Sequence, residues 1–200
     1  MTELNNKLYN QHYKDLADKY NDALSFTEGY CIDVVHWIVN DLKIKKGDIV
    51  VDLGGGTGSS AKAIYDTCSV QRDILCIDPC LEMLECAKGL NGVSTLSTDA
   101  LSFAINNDIK YNKIFIKEAV HHFNNRINIW KGIYKQLYPE GRILIITRPP
   151  KVEFPFFQAA LQAFEQGQPH YNTITKELEE VGFKAFLWAR EYPVRVDKEY

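Results

Sequence analysis

The sequence predicts an α/β fold: a three-layer α-β-α sandwich in which a doubly wound, mostly parallel sheet is covered by helices on both faces. Three observations point there. Short apolar runs alternate with amphipathic helical segments, the pattern of a parallel sheet buried on both sides. A glycine-rich turn follows the first apolar run at once and opens a helix. The second apolar run ends in Asp78, twenty residues beyond Gly58, where such folds meet a ligand. Two hundred residues with 46% hydrophobic content bury a sizeable core, and residues 1–200 are expected to form a single domain.

Residues 4–21 and 29–42 read as amphipathic helices, so residues 1–42 form a helical entry to the first strand. In the second helix Tyr30, Val34, Trp37, Ile38 and Asp41 recur at helical spacing, with Ile32 and Val35 widening the apolar face. Gly47 ends the approach to a strand at 49–53, and a helix begins at 59–65. Strands follow at 74–77, 93–96 and 113–116, the first two separated by a helix over 81–89. Residues 126–138 read as a helix with Ile127, Trp130, Ile133, Tyr134 and Leu137 on one side, stopped by Pro139-Glu140-Gly141. A strand at 141–147 comes next, then a helix at 175–181 capped by Gly182, and a strand at 184–189. Only residues 192–196, broken by Pro193, remain for a closing strand, and proline is tolerated mainly at sheet edges. The expectation is a very short last hairpin, or a sheet that stops before its final strand and leaves an edge that invites dimer formation.

Composition narrows the function classes. A net charge of −3 gives no basic field for nucleic acid. No apolar run is long enough to span a bilayer, and the polar start Met1-Thr2-Glu3-Leu4-Asn5-Asn6 lacks a signal core, so a cytoplasmic protein is expected. Five cysteines, Cys31, Cys68, Cys76, Cys80 and Cys86, are an odd set without zinc spacing; they read as reduced thiols, and no metal site is expected.

The chemistry concentrates in Val50-Val51-Asp52-Leu53-Gly54-Gly55-Gly56-Thr57-Gly58. Gly54, Gly56 and Gly58 lack Cβ atoms where the backbone turns and a ligand approaches. Asp78 closes the second strand, where a carboxylate accepts both hydroxyl protons of a ribose; the alternative is a helix cap. The glycines also satisfy a dinucleotide pattern, so a nicotinamide cofactor stays in view. Asp52 separates the two readings, since a carboxylate there repels a pyrophosphate and attracts a methionine ammonium. Asp99, after the third strand, is placed to accept the amino group of an adenine.

With these residues the chain resembles the class I S-adenosylmethionine-dependent methyltransferases, a Rossmann-like fold family. The matching stretches are 51–58, 77–84, Thr98-Asp99-Ala100, Glu118-Ala119-Val120-His121-His122-Phe123, Leu137-Tyr138-Pro139-Glu140-Gly141-Arg142 and Val181-Gly182-Phe183, in the family's order from about Tyr9 to Phe186. The resemblance implies methyl transfer from S-adenosyl-L-methionine to an O, N or C acceptor by in-line displacement, with S-adenosyl-L-homocysteine as product. It gives Gly54, Gly56 and Gly58 to backbone approach, Asp52 to the methionine end, Asp78 to the ribose and Asp99 to the adenine. It places Pro79, Met83, Ala100 and Lys117 around the same cofactor, with Tyr13 and Tyr20 closing over it; core packing is the alternative for Met83 and both tyrosines. His121 and His122 are the candidate bases. The base-amino methyltransferase pattern Asn/Asp-Pro-Pro-Tyr is absent after the fourth strand, which favours a small-molecule acceptor over nucleic acid. Residues 148–172, with Pro149-Pro150, Phe154, Phe156, Phe157, Phe164 and His170, suit a substrate lid. Arg148 either meets an acidic substrate or pairs at the surface. A nicotinamide oxidoreductase and a non-catalytic, cofactor-binding regulatory protein are the alternatives, and the oligomeric state, monomer or homodimer, is open.

Overall fold

The computed structural model describes residues 28–106, 108–151, 162 and 165–190. The helix expected over 4–21, Tyr13, Tyr20, Phe154, Phe156, Phe157, Phe164 and the closing strand at 192–196 lie outside the described residues.

Helix α1 (Glu28–Leu42) leads into strand β1 (Val50–Leu53), followed by α2 (Ser59–Cys68), β2 (Ile74–Asp78), α3 (Leu81–Ala87) and β3 (Val93–Ser97). Then come α4 (Ala100–Asn106), β4 (Tyr111–Lys117), a short 3-10 turn (Val120–His122), α5 (Arg126–Gln136), β5 (Leu137–Ile146) and α6 (Tyr171–Val181). The five strands form one sheet in the order β3-β2-β1-β4-β5, and every neighbouring pair is parallel. The chain leaves β1 towards β2 and β3, then returns to β4 on its other side. That reversal opens a crevice beyond the carboxyl ends of β1 and β4.

Alternation along the strands builds two cores. Val51, Leu53, Ile77, Ile114 and Ile116 face one layer with Phe103, Trp130, Ile133, Ile174 and Leu178 from α4, α5 and α6. Val50, Ile74, Cys76 and Phe115 face the other with Val34, Ile38, Ala61, Ile64, Leu84 and Ala87 from α1, α2 and α3. A polar tie runs through the first core: Tyr111 donates its hydroxyl to Gln136 Oε1 at 2.9 Å, and Gln136 Nε2 donates to the Phe103 and Ala104 carbonyls at 3.1 and 3.2 Å. Gly132 sits so close to α4 that a Cβ there would lie 2.1 Å from the Ala104 carbonyl oxygen.

Several expectations change. Ile32 is 53% exposed and lies off the apolar face of α1, which is carried by Val34, Val35, Ile38 and Leu42. Tyr134 is likewise exposed, its ring meeting Phe183 edge-on. Helix α5 stops at Gln136 because Leu137 is already extended and pairs with Tyr111; Pro139 bars further helix. The strand expected at 184–189 does not form among the described residues. A strand needs a ladder partner, and this segment is instead pinned at its two ends. Phe183 and Ala185 pack against the first core, while Arg190 reaches Asp41 of α1 at 2.8 Å and lies over the Trp37 ring. The sheet is therefore all-parallel over the described residues, without the expected last hairpin. No helix among the described residues is long and apolar enough to cross a membrane.

Candidate functional site

Two residues at the end of β2 hold the glycine turn. The Gly54 and Gly55 amides both donate to the Ile77 carbonyl, at 2.7 and 3.0 Å. The Gly56 amide donates to Asp78 Oδ2 at 3.0 Å. Asp78 Oδ1 accepts the Cys80 amide at 2.9 Å, which fixes the entry to α3. Asp78 thus serves as a latch for the turn, with Cys80 rather than Asp78 at the helix cap. Each of its oxygens keeps a second lone pair for a ligand hydroxyl. Burial raises the Asp78 pKa, against the Cys80 and Gly56 amides, which lower it.

The glycines divide the work differently from their spacing. Gly54 lies against Ala119 and Gly58 against Ala87, where added Cβ atoms would come within 2.5 and 2.8 Å. Both positions are dictated by packing inside the protein. Gly56, at φ +55°, has only Met83 Cε near, at 3.9 Å, so it is the glycine with room for a ligand. Gly55, which the spacing argument passed over, is equally constrained: a Cβ there would lie 2.7 Å from Asp52 Oδ2 and 2.6 Å from Cys76 Sγ. An unbroken run of three glycines was the available signal.

Asp52 is 1% exposed, and its Oδ2 makes no hydrogen bond. It pairs in register with Cys76 of β2 and Phe115 of β4. Lys117, two residues beyond Phe115, projects on the same sheet face. Burial pushes the Asp52 pKa up to about 7; Lys117 opposes the shift and Asp78 adds to it. Burial, with the same two carboxylates, also pushes the Cys76 thiol up. All five cysteines are free.

The remaining candidates ring this centre. Pro79 is exposed beside Asp78, and Met83 is buried with Cys80 next to the glycine turn. Asp99 caps α4: Oδ1 accepts the Leu101 and Ser102 amides at 3.0 and 2.9 Å, and Oδ2 accepts the Ser102 hydroxyl at 2.6 Å. Partial burial works to raise its pKa, but these bonds outweigh it and the net shift is downward. Ala100 is half-buried at the start of that helix.

A second group lies beyond the end of β4. Glu118 adopts φ +54°, a left-handed conformation that side chains rarely take, and its amide donates to Ile146 at 2.8 Å. Its carboxylate lies 3.4 Å from Arg148 Nε, so Arg148 pairs at the end of β5. Burial raises the Glu118 pKa, opposed by Arg148 and Lys117. The 3-10 turn brings the His121 and His122 rings to 3.7 Å between centroids, tilted at 56°, and His121 Nδ1 is buried without a hydrogen bond. Burial and Arg148 push the His121 pKa down to about 4; burial and His121 push that of His122 to about 3. Thr147 bonds Gln168 at 3.4 Å, which brings the approach to α6 over the same edge.

Residues 51–145 match a family model described as a methyltransferase domain. That match, over the glycine turn and the sheet, supports a class I S-adenosylmethionine-dependent methyltransferase domain. No curated protein matches the sequence. Among solved structures the chain is similar to a putative methyltransferase from an antibiotic biosynthesis pathway of Anabaena variabilis, at 19% identity and TM-score 0.64, covering 75% of this chain and 60% of that one. A possible histamine N-methyltransferase of Thermotoga maritima superposes at 14% identity and TM-score 0.66, over 86% of this chain and 80% of the other. Phosphoethanolamine N-methyltransferase 2 of Haemonchus contortus, in complex with S-adenosyl-L-methionine, does so at 18% identity and TM-score 0.63, over 86% and 44%. At such identities the likeness is one of fold. The chain spans 60% of the length of the Anabaena protein and 44% of the Haemonchus protein.

Proposed function

We propose that the chain binds S-adenosyl-L-methionine and catalyses transfer of its methyl group to a small-molecule acceptor. The observation that carries this reading is the buried Asp52 carboxylate, whose Oδ2 makes no hydrogen bond, beside a clamped glycine turn. An orphaned acceptor in a closed site calls for a donor on a ligand, and a protonated amine supplies one. The Gly54, Gly55, Gly56 and Gly58 amides are all donated inside the protein. That leaves those four donors unavailable to a pyrophosphate and counts against a nicotinamide cofactor.

When bound, the cofactor supplies an electrophilic methyl on a sulfonium. The chain's part is to bind and orient. Asp78 takes the ribose hydroxyls through its second lone pairs, and Asp52 and Lys117 face the amino-acid end from one side of the sheet. Gly56 gives the backbone close approach. Pro79 and Met83 flank the adenine, and Asp99 and Ala100 meet its edge. Holding donor and acceptor in line is worth roughly 7–11 kcal/mol. The acceptor lies at the Glu118, His121 and Arg148 corner. His121 and His122 are the residues placed to receive its proton, His121 through its unpartnered Nδ1. We place the protein in the cytosol, as a single domain and as a monomer or homodimer.

The test is calorimetric titration of the purified chain with S-adenosylmethionine, S-adenosylhomocysteine and NAD, followed by an acceptor screen with a labelled methyl donor. Micromolar binding of both sulfur ligands and labelled product is the expected result. Binding of NAD alone overturns the reading, and cofactor binding without any labelled product leaves a regulatory protein.

A further inference from the structure

A carboxylate buried without a hydrogen bond is costly to ionise, because no dipole or ion replaces the water it has lost. Asp52 meets that cost: it is 1% exposed and its Oδ2 makes no hydrogen bond, with the Lys117 ammonium as a partial offset. Its surroundings come from every element packed on it. Strand β2 contributes the Cys76 thiol and the Asp78 carboxylate, the second a like charge. Strand β4 contributes Phe115 and, further along the same face, the Lys117 ammonium. Helices α1, α2 and α3 close this layer with Val34, Ile38, Ala61, Ile64 and Leu84.

Resting on the cofactor reading above, we propose that Asp52 is a protonated acid in the ligand-free chain and surrenders its proton when the amino-acid end of the cofactor docks, so that binding is proton-linked. The step balances simply. The carboxylic acid O–H of Asp52 breaks, its proton goes to solvent, and the carboxylate left behind pairs with the ligand's ammonium, which keeps its own three protons. Well below the pKa of Asp52 in the free chain, one proton is released for each ligand bound; above it the release falls towards zero. The pKa of about 7 in the free chain agrees with this geometry and sets the window. Ligand binding that releases a proton tightens as pH rises and levels off above that value.

The experiment is calorimetry with S-adenosylhomocysteine at pH 5.5 and 7.5, in buffers of different ionisation enthalpy, with adenosine as a ligand lacking the amine. The expected result at pH 5.5 is release of about one proton per S-adenosylhomocysteine and none with adenosine. Affinity for S-adenosylhomocysteine should be roughly 25-fold higher at pH 7.5 than at pH 5.5. In Asp52→Asn both the proton release and the pH dependence should vanish while adenosine still binds, which also shows that the variant is folded. Tight, pH-independent binding of S-adenosylhomocysteine with no net proton overturns the proposal and leaves the cofactor reading intact. Equal proton release with adenosine also overturns it, because the ribose carboxylate Asp78 would be the source. If neither ligand binds at any pH, the cofactor reading fails and the proposal with it.

Discussion

The Asp78 carboxylate and the Gly56 amide are joined at 3.0 Å, so the end of one strand sets the shape of the turn that ends its neighbour. One side chain thus supports the turn and, on the proposed reading, also takes the ribose. Removing it removes both functions. Asp78→Ala is expected to weaken S-adenosylhomocysteine binding about 100-fold, since hydrogen bonds to a charged group are worth about 1.5–3 kcal/mol each. Asp78→Asn keeps one acceptor oxygen and should fall between. Titration of the three proteins checks this, and unchanged affinity in the alanine variant would remove Asp78 from the site.

Gly56 and Gly58 should part company under substitution. A methyl at Gly58 collides with Ala87 at 2.8 Å, whereas one at Gly56 enters space next to Met83. Gly56→Ala is expected to fold, with about 1–2 kcal/mol of stability lost to its left-handed backbone, and to lose cofactor affinity at least tenfold. Gly58→Ala should unfold at markedly lower temperature. Thermal melts with and without S-adenosylhomocysteine read both effects; a Gly56→Ala protein that is stabilised by ligand as well as the wild type would refute the division.

The parts legible in the sequence were those written in local pattern. The period of apolar residues gave β1 to β4 and both helical layers, and the Asp-then-glycine run gave the turn. What was hidden depends on contacts between distant elements. Nothing near Gly132 in the sequence announces the Ala104 carbonyl, and nothing near Gln136 announces Tyr111. That Asp99 also caps α4 was hidden, because this role needs the helix start at Ala100 to be known. The strand expected at 184–189 read as one from its apolar residues alone. The ties of Arg190 to Asp41 and Trp37, which draw that segment towards α1, come from residues about 150 positions away.

His121 is expected to act as a neutral imidazole. Burial and the Arg148 cation bring its pKa to about 4, so no inflection in kcat/KM between pH 5 and 8 should come from this ring. Arg148→Met removes the cation that opposes protonation, and should move any acid limb of the profile to higher pH. The profile of the wild type and of the variant, on the acceptor found by the screen, checks both. An acid limb near pH 6.5 in the wild type, abolished in His121→Asn, would mean that the site does not depress this group.

Glu177 ties α6 to α5 and should make stability pH-dependent. It accepts Arg126 Nε at 2.9 Å, Arg126 Nη2 at 2.6 Å and Trp130 Nε1 at 3.0 Å. Burial raises its pKa, but the bonds from Arg126 and Trp130 outweigh it and the net shift is downward. A carboxylate with a depressed folded pKa stabilises fully above its unfolded value, about 4.3, and that stabilisation is lost as pH falls through the folded value. Glu177→Gln keeps the shape and loses the charge, so it should cost about 1–2 kcal/mol at pH 7. The gap between variant and wild type should narrow as pH falls through the lowered folded value and close once both side chains are neutral. Urea unfolding of the two proteins from pH 7 downwards measures the difference. A gap that does not narrow as pH falls below the unfolded value would assign the cost to altered packing around Trp130 instead of to the carboxylate's charge.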